Sequence, residues 1–409
     1  MESEAGRYLD DPAFRVEMLR ASLTNPENIY SRTRLASYGL VTRGWDMLPA
    51  WTPTASPIDT AAVDALVAGG PVQVDPTVSP LWDGVRPKRM ADWVALGRRV
   101  FYEYPLRPEV FAEHALRNPQ VAQAVGLRAA PDGMWPGVVA FEDVDGTTQV
   151  GITCALCHVA VQDGVVVEGM ARRDLDYGRM RLAFHRDTDW PLPEGLAKRM
   201  ASWGPGRADI TQDDDEDPVA IVDLWGVREH AYLTQAGTVR QVHPAALAIR
   251  QETQLLHANR ERTRPPRALA WALAMFVYSL QPPDSVAAAG DVDHGRSLFG
   301  RHCARCHADA NHAGPPIDAT TVGTDLTLAQ GRARGTGRYR VAPLVRVAEA
   351  APYLHHGVVP TLTAMLDPAR LTPEYTEGTR GPGAVPGHEY GTGLPLADRT
   401  ALVAFLTTL

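Results

Sequence analysis

The chain has 409 residues, of which 45% are hydrophobic and 22% charged, the proportions of an ordinary globular protein. This length predicts two or three domains rather than one small core. The formal net charge of −8 argues against a nucleic-acid partner, whose phosphates need a basic surface. No stretch approaches the roughly 18 consecutive apolar residues of a membrane-spanning helix.

Residues 1–90 carry no recognisable functional motif. The segment from Asp10 to Ser22 has the pattern of an amphipathic helix. Beyond Trp45 the chain becomes rich in proline and threonine, which is typical of turns and loops. We therefore expect an N-terminal extension over 1–90 that packs on the rest of the chain.

Two helical patterns bound the next segment. The first starts near Ala91 and includes Trp93 to Phe101. The second is the strongly apolar Arg267–Leu280, which the prolines at 282 and 283 bring to an end.

Two short runs use all four cysteines of the chain: Cys154-Ala155-Leu156-Cys157-His158 and Cys303-Ala304-Arg305-Cys306-His307. Cys-x-x-Cys-His is the pattern of covalent haem attachment, in which two thiols reach the porphyrin vinyl groups and the histidine is the proximal iron ligand. A four-thiolate zinc site and a thioredoxin-like redox pair are alternatives for the cysteines, but neither requires a histidine at the fifth place. The motifs predict two covalently bound haem c groups.

The order of helix, haem motif and closing helix occurs twice. His294–Phe299 is similar to Leu96–Phe101 before the first motif, and Leu402–Leu409 is similar to the first closing helix. A repeated order of this kind indicates an internal duplication. Its boundary is expected in the loop between residues 283 and 292.

From Ala91 onward the chain resembles the di-haem cytochrome c peroxidase superfamily, which includes the MauG-type enzymes. The resemblance rests on the Gly-Arg-x-Leu/Val-Phe approach to each motif, on the tandem order, and on Ala351–Leu362. That last stretch is similar to the family's Pro-Tyr-aromatic-His-Asp/Asn-Gly-x-x-x-Thr-Leu. Gly387–Pro395 is more similar to the RoxA-type di-haem oxygenases.

The resemblance implies a mainly α fold, with two tandem cytochrome c-like domains over 91–283 and 284–409 behind the N-terminal extension. It implies a reactive haem at His158, the proximal ligand, and an electron-relaying haem at His307. The implied activity is a peroxide-dependent oxidoreduction.

The resemblance also implies the reaction partners. The donor would be a small cytochrome or copper protein, or the substrate a side chain of a partner protein as in MauG. Oxygen would replace hydrogen peroxide in an oxygenase-like protein. An electron-transfer cytochrome without a substrate is the alternative from another class, and a gas or redox sensor is a third.

The family's distal motif is Phe-Trp-Asp-Gly-Arg. In this chain the comparable residues, 232–238, are Tyr-Leu-Thr-Gln-Ala-Gly-Thr, so the motif is altered. Trp225 lies near the position of the tryptophan that often sits between the haems. Glu252 falls near the position of the distal acid, and peroxide cleavage needs a positioned acid–base group. These two residues are the expected catalytic residues.

A relay haem needs a second strong axial ligand. His388, in a glycine-rich loop, is preferred over Met365 and His355, and His355 has the alternative of a structural imidazole near the haem edge. His302 and His312 are expected at the surface.

A reactive haem keeps its sixth position open, or closed by a residue that can leave. The candidates for such a ligand at the first haem are His185, His230, His243 and His257. His243, in a loop before a proline, fits that role best, while an ordinary exposed histidine is the alternative for each.

The acidic run Asp213–Asp217 offers carboxylate oxygens to calcium, with a solvated turn as the alternative because the run lacks the glycine of an EF-hand loop. Covalent haem attachment normally takes place outside the cytoplasm. We therefore expect a periplasmic or otherwise extracytoplasmic location, and a leader segment that this sequence does not include.

Overall fold

The computed structural model describes residues 2–209, 217–284 and 289–409. It is 42% helical and 13% strand. The α-helices of the described part are α1 (Glu2–Asp10), α2 (Pro12–Ser22), α3 (Ile29–Ser37), α4 (Thr60–Val67), α5 (Met90–Glu103), α6 (Val110–Arg117), α7 (Pro119–Ala124), α8 (Ala155–His158), α9 (Tyr177–Asp187), α10 (Glu194–Trp203), α11 (Pro244–Ala258), α12 (Arg267–Ser279), α13 (Val292–His302), α14 (Ala319–Val322), α15 (Thr327–Gln330), α16 (Leu362–Met365) and α17 (Leu396–Leu406).

The strands are short. They are β1 (Ala55–Asp59), β2 (Arg107–Pro108), β3 (Met134–Glu142), β4 (Thr148–Ile152), β5 (Val159–Gln162), β6 (Val165–Glu168), β7 (Arg207–Ala208), β8 (Val219–Ala220), β9 (Tyr232–Leu233), β10 (Val239–Arg240), β11 (Gly314–Asp318) and β12 (Arg338–Val341). The helix-rich part of the fold prediction is confirmed, whereas the strands were not predicted. The cytochrome c-like assignment of the two domains stays a prediction.

The chain divides into two compact units. The first contains Met1–Ser22, Thr33–Gly206 and Val242–Leu280, and the second contains Leu23–Arg32, Arg207–Gln241 and Gln281–Leu409. Each unit carries one Cys-x-x-Cys-His motif. The domain boundaries at 90/91 and 283/284 stay predictions.

In the first unit, α5 packs closely on α12 at a glycine. A Cβ atom on Gly97 would lie 1.9 Å from the carbonyl oxygen of Ala272 and 2.7 Å from Cβ of Phe276. One turn along, the rings of Phe101 and Phe276 lie 5.1 Å apart at an interplanar angle of 57°. Only glycine lets the two backbones approach this closely.

The second unit repeats this contact between α13 and α17. A Cβ atom on Gly295 would lie 2.0 Å from the carbonyl oxygen of Ala401 and 2.8 Å from Cβ of Phe405. The rings of Phe299 and Phe405 lie 5.3 Å apart, again at 57°. The same glycine–phenylalanine spacing therefore makes the same helix crossing in both units, as an internal duplication would.

The first unit also contains a four-stranded antiparallel sheet in the order β1-β3-β4-β2. One face of β3 and β4 packs with α6 and α8 in a core that includes Leu116, Val138, Val150 and Leu156. The sheet therefore precedes the first haem motif in the chain and packs against it.

In the second unit, β11 and β12 form a two-stranded antiparallel sheet, with Ile317 opposite Tyr339. A separate core joins α13 and α17 around Leu298, Leu402 and Phe405. No helix of the described part is long and apolar enough to cross a membrane.

Candidate haem sites

The first motif forms one helical turn, α8, immediately after β4. The amide of His158 donates to the carbonyl oxygen of Cys154 (3.2 Å), which closes the turn. Gly137 of β3, with φ of 84°, lies so close that a Cβ atom would be 1.9 Å from the amide nitrogen of Leu156. The amide of Arg172 donates to the carbonyl oxygen of Cys157 (2.9 Å). The sheet and the segment after β6 therefore hold the motif from two sides.

Burial raises the pKa of three of the motif thiols above the ordinary value for cysteine. Burial, with a smaller contribution from Cys157, raises the pKa of Cys154 to about 12. Burial also raises the pKa of Cys157 to about 11 and that of Cys303 to about 11. No group of three or more histidine, cysteine or acidic side chains in the described residues is placed to hold a metal ion.

The second motif follows α13 without a break. The amide of Cys303 donates to the carbonyl oxygen of Phe299 (2.8 Å), and the amide of His307 donates to that of Cys303 (3.1 Å). Gly314, the first residue of β11, packs on the motif, since a Cβ atom there would lie 2.0 Å from the carbonyl oxygen of Cys306. Helix and strand together fix the direction of the His307 side chain.

The ring of His307 is oriented by the backbone. Its Nδ1 donates to the carbonyl oxygen of His312 at 2.6 Å. Histidines that bind metals usually make such a bond with the nitrogen that does not coordinate, which fixes the tautomer. The ring also interacts with the backbone of Ala342, and the role of His307 as an iron ligand stays a prediction.

His388 lies opposite His307. The two ring centroids are 6.3 Å apart and the rings are inclined at 70°. Two metal–imidazole bonds of about 2 Å each, with the half-width of each ring added, give roughly 6 Å between centroids. Among the described residues, Nδ1 of His388 is buried without a hydrogen-bond partner. The pair therefore fits one metal ion between two imidazoles.

His388 is held neutral. Burial, followed by the nearby charges of His307 and Arg370, lowers its pKa to about 4. Only the neutral imidazole can donate a lone pair to iron. The residue adopts φ of 47°, in the left-handed region, and its amide donates to the carbonyl oxygen of Val322 (2.7 Å).

The two other candidates for this position make different contacts. Met365 is buried in a cluster with Val358, Val359 and Tyr375. His355 stacks on Tyr339 with 4.1 Å between centroids, and its Nε2 lies 3.1 Å from the Tyr339 hydroxyl. These contacts favour a structural role for the His355 imidazole over a role as iron ligand. His302 is exposed, and the ring of His312 packs on Phe299.

Three of the four candidates for the first haem lie in the first unit, each with contacts of its own. His185 donates from Nδ1 to the carbonyl oxygen of Trp190 (3.0 Å). His243 accepts the amide of Ala245 at the start of α11 (3.0 Å). His257 lies 4.8 Å from Trp45, ring to ring. The fourth, His230, belongs to the second unit, where burial lowers its pKa to about 3.

Glu252 is buried within α11 in a polar network. Its Oε2 accepts hydrogen bonds from the hydroxyls of Tyr8 (2.8 Å) and Tyr38 (2.6 Å). Its Oε1 lies 3.3 Å from Nε of Arg267. These contacts tie the N-terminal segment to α11 and α12, and the role of Glu252 as a distal acid stays a prediction.

Trp225 lies in the second unit and is 2% exposed. The following residue, Gly226, has φ of 65°, and a Cβ atom there would lie 2.5 Å from Nδ2 of Asn311. The Trp225 loop thus packs on the segment that follows the second motif, and Trp225 and Glu252 belong to different units. The catalytic assignment of Trp225 also stays a prediction.

The acidic run falls mostly outside the described residues, since 210–216 are not among them. Asp217 is described and is buried. The calcium prediction therefore stays a prediction.

Arg370, which binds the His388 loop, is not among the site residues predicted from the sequence. Arg370 is fully buried and donates to the carbonyl oxygen of His388 (2.8 Å). An arginine between Pro368 and Leu371 in a polar stretch carries no sequence signal of burial.

No family model matches the sequence, and no curated protein matches it. Among solved structures, the chain is similar to the crystal structure of a MauG-like protein associated with microbial copper homeostasis. The identity is 19%, the match covers 50% of this chain and 78% of that chain, and the TM-score is 0.34. Membership in the family that the sequence motifs resemble stays a prediction.

Proposed function

We propose that this chain is a di-haem c-type oxidoreductase with a reactive site at His158 and an electron-transfer site at His307. In the proposed reaction, two electrons from a donor and two protons from solvent reduce hydrogen peroxide to two molecules of water. The observation that supports the proposal most directly is the 6.3 Å separation of the His307 and His388 rings beside Cys303 and Cys306.

The residues of the second site are those that an electron-transfer centre needs. Cys303 and Cys306 would attach the haem covalently, and His307 and His388 would bind iron from opposite sides. When bound, haem c supplies an iron that exchanges single electrons and, where its sixth position is open, reacts with peroxide or oxygen. These residues would suit a haem that transfers electrons without binding a substrate.

The first site is proposed to be reactive because the family resemblance implies that the haem at the first motif is the reactive one, and its unit's candidate histidines have other contacts. His185, His243 and His257 are engaged with Trp190, with an amide of α11 and with Trp45. Cys154, Cys157 and His158 would hold a haem whose iron could react with peroxide. The motif resemblance supports hydrogen peroxide over oxygen as the oxidant.

The electron donor is proposed to be a small cytochrome or copper protein, or an oxidisable side chain of a partner protein. The location is proposed to be periplasmic or otherwise extracytoplasmic, because covalent haem attachment takes place there. Both statements follow from the haem motifs and the family resemblance.

The test is an absorption and electron paramagnetic resonance study of the purified holoprotein, oxidised, reduced, and then treated with one equivalent of hydrogen peroxide. We expect two haems per chain, one high-spin and one low-spin, and a rapid spectral change of the high-spin component on adding peroxide. Two low-spin haems that do not respond to peroxide would contradict the proposal and identify an electron-transfer cytochrome.

A further inference from the structure

Arg370 connects three backbone segments of the second unit. Its Nε donates to the carbonyl oxygen of Met365 (3.1 Å), Nη1 to that of Val385 (2.6 Å) and Nη2 to that of His388 (2.8 Å). The side chain is 0% exposed. A buried guanidinium that donates to three backbone carbonyls is suited to fix the path of a loop.

The loop that carries His388 depends on such contacts. Residues 385–391 contain no helix or strand. The amide of Val385 donates to the carbonyl oxygen of Arg370 (2.6 Å), so Arg370 bonds this residue in both directions. Gly387 has φ of 92° and passes so close to Thr324 that a Cβ atom would lie 2.4 Å from its amide nitrogen.

The path is one that an isolated chain would seldom adopt. Gly387 and His388 both have positive φ, which is uncommon for a residue with a side chain. The conformation that points His388 at His307 must therefore be imposed from outside the loop. Arg370 bonds the loop at Val385 and at His388 itself.

We propose that Arg370 is the positioning residue that holds His388 as the second axial ligand of the haem at His307. A further consequence is electrostatic, because its positive charge beside the ligand favours the reduced state of the iron. The inference rests on the haem site proposed above.

The test compares four variants of the holoprotein: Arg370→Gln, Arg370→Lys, His388→Ala and Arg399→Gln. Arg399 is the matched control, because its Nη1 donates to the carbonyl oxygen of Leu366 (3.2 Å) in the neighbouring turn and does not bond the His388 loop. The readouts are the spin state of the second haem by electron paramagnetic resonance, its reduction potential by redox titration, and the effect of added imidazole.

We expect R370Q to raise the high-spin fraction of the second haem about tenfold or more, since a hydrogen bond from a charged donor changes an equilibrium by that order. Its potential should fall, and added imidazole should restore the low-spin spectrum. R370K should keep a potential closer to the wild-type value, because it keeps the charge, and should show a smaller high-spin fraction. R399Q should match the wild type.

The results distinguish failure of the proposed Arg370 role from failure of the His388 ligand assignment. If the second haem is high-spin in H388A but stays low-spin with an unchanged potential in R370Q, the proposed role of Arg370 is overturned and the ligand assignment stands. An H388A protein that stays low-spin would overturn the ligand assignment, and this inference with it. If R370Q does not fold, R370K decides by the same spectra: a high-spin fraction that imidazole removes supports the inference, and a wild-type spectrum overturns it.

Discussion

His307 and His388 face each other at 6.3 Å between ring centroids, and the two residues reach this arrangement from different parts of the second unit. His307 follows α13 and is fixed by the carbonyl oxygen of His312, while His388 lies in a loop bound by Val322 and Arg370. The ring of His307 and the backbone of His388 are thus held by separate hydrogen bonds, and the His388 ring packs on Tyr390 with 5.4 Å between centroids. A site oriented in this way should bind iron with little rearrangement.

The first prediction concerns the identity of the sixth ligand at the second haem. His388→Ala removes one imidazole and should convert this haem from low-spin to high-spin. Met365→Leu is the control, because Met365 lies in an apolar cluster and the volume is nearly conserved. Absorption and electron paramagnetic resonance spectra decide. A high-spin M365L protein with a low-spin H388A protein would reverse the assignment.

The second prediction concerns haem content. The double variant Cys303→Ala, Cys306→Ala should retain one haem per chain and lose the low-spin signal, because the second site could no longer attach its haem. The double variant Cys154→Ala, Cys157→Ala should instead retain the low-spin signal and lose the response to peroxide. Haem per chain is measured as the pyridine haemochrome. Two haems remaining in either variant would contradict the attachment sites.

The sequence contains the local features of these sites but not their surroundings. Both motifs and both helix pairs could be stated from residue type and spacing, whereas the preference for His388 also used the family resemblance and stays a prediction. The sheet of the first unit could not, because β1 contains Pro57 and β3 contains Pro136 and Gly137, residues typical of turns. Their pairing joins distant segments, with β1 at the edge of the sheet, where a proline is tolerated.

The burial and loop contacts of Arg370 could not be predicted from the sequence for a related reason. Its three carbonyl partners lie 5, 15 and 18 positions away. No periodicity links such partners, and arginine is a surface residue on average. The same holds for Glu252, whose partners Tyr8 and Tyr38 come from the N-terminal segment.

The third prediction tests the repeated helix crossing. Gly295→Ala should lower the free energy of unfolding by about 1–3 kcal/mol or more, because the new methyl group would overlap the carbonyl oxygen of Ala401. Gly97→Ala should act alike in the first unit. Gly300→Ala is the matched control on the same helix as Gly295, since a Cβ atom there meets nothing within 4 Å.

The control should be neutral or stabilise the protein by roughly 0.5–1 kcal/mol, as alanine is the better helix former. Denaturant unfolding followed by circular dichroism provides the measurement. Equal effects of G295A and G300A would show that the close crossing is absent in solution.

The fourth prediction concerns the network around Glu252. Glu252→Ala should destabilise the protein by about 1–3 kcal/mol for each of the two tyrosine hydroxyls that lose their buried acceptor, while Arg267 keeps its ion pair with Asp46 (2.8 Å). Tyr8→Phe removes one hydrogen bond and should cost about 1 kcal/mol. The measurement is again the free energy of unfolding. An E252A protein as stable as Y8F would mean that the carboxylate is not part of a buried network.

The fifth prediction is a loss of stability in mild acid that originates from His355 and His356. Burial lowers the pKa of His355 to about 3 and that of His356 to about 4. For His355, the imidazole of His356 and the charge of Arg380 lower the pKa further, while Asp325 raises it. The rings stack at 4.2 Å between centroids, next to Tyr339. In the unfolded chain both should titrate near 6.5.

Because the native pKa values are the lower ones, the unfolded state binds more protons between pH 6.5 and about 4, and stability must fall as the pH falls through that range. Each group contributes a slope of about 1.4 kcal/mol per pH unit within its range. His355→Gln, which cannot titrate, should have the shallower slope. His302→Gln, a change of an exposed imidazole, should keep the wild-type slope. The test is to measure the free energy of unfolding at several pH values between 7.5 and 4.5. An H355Q slope equal to that of the wild type would contradict a neutral, buried His355.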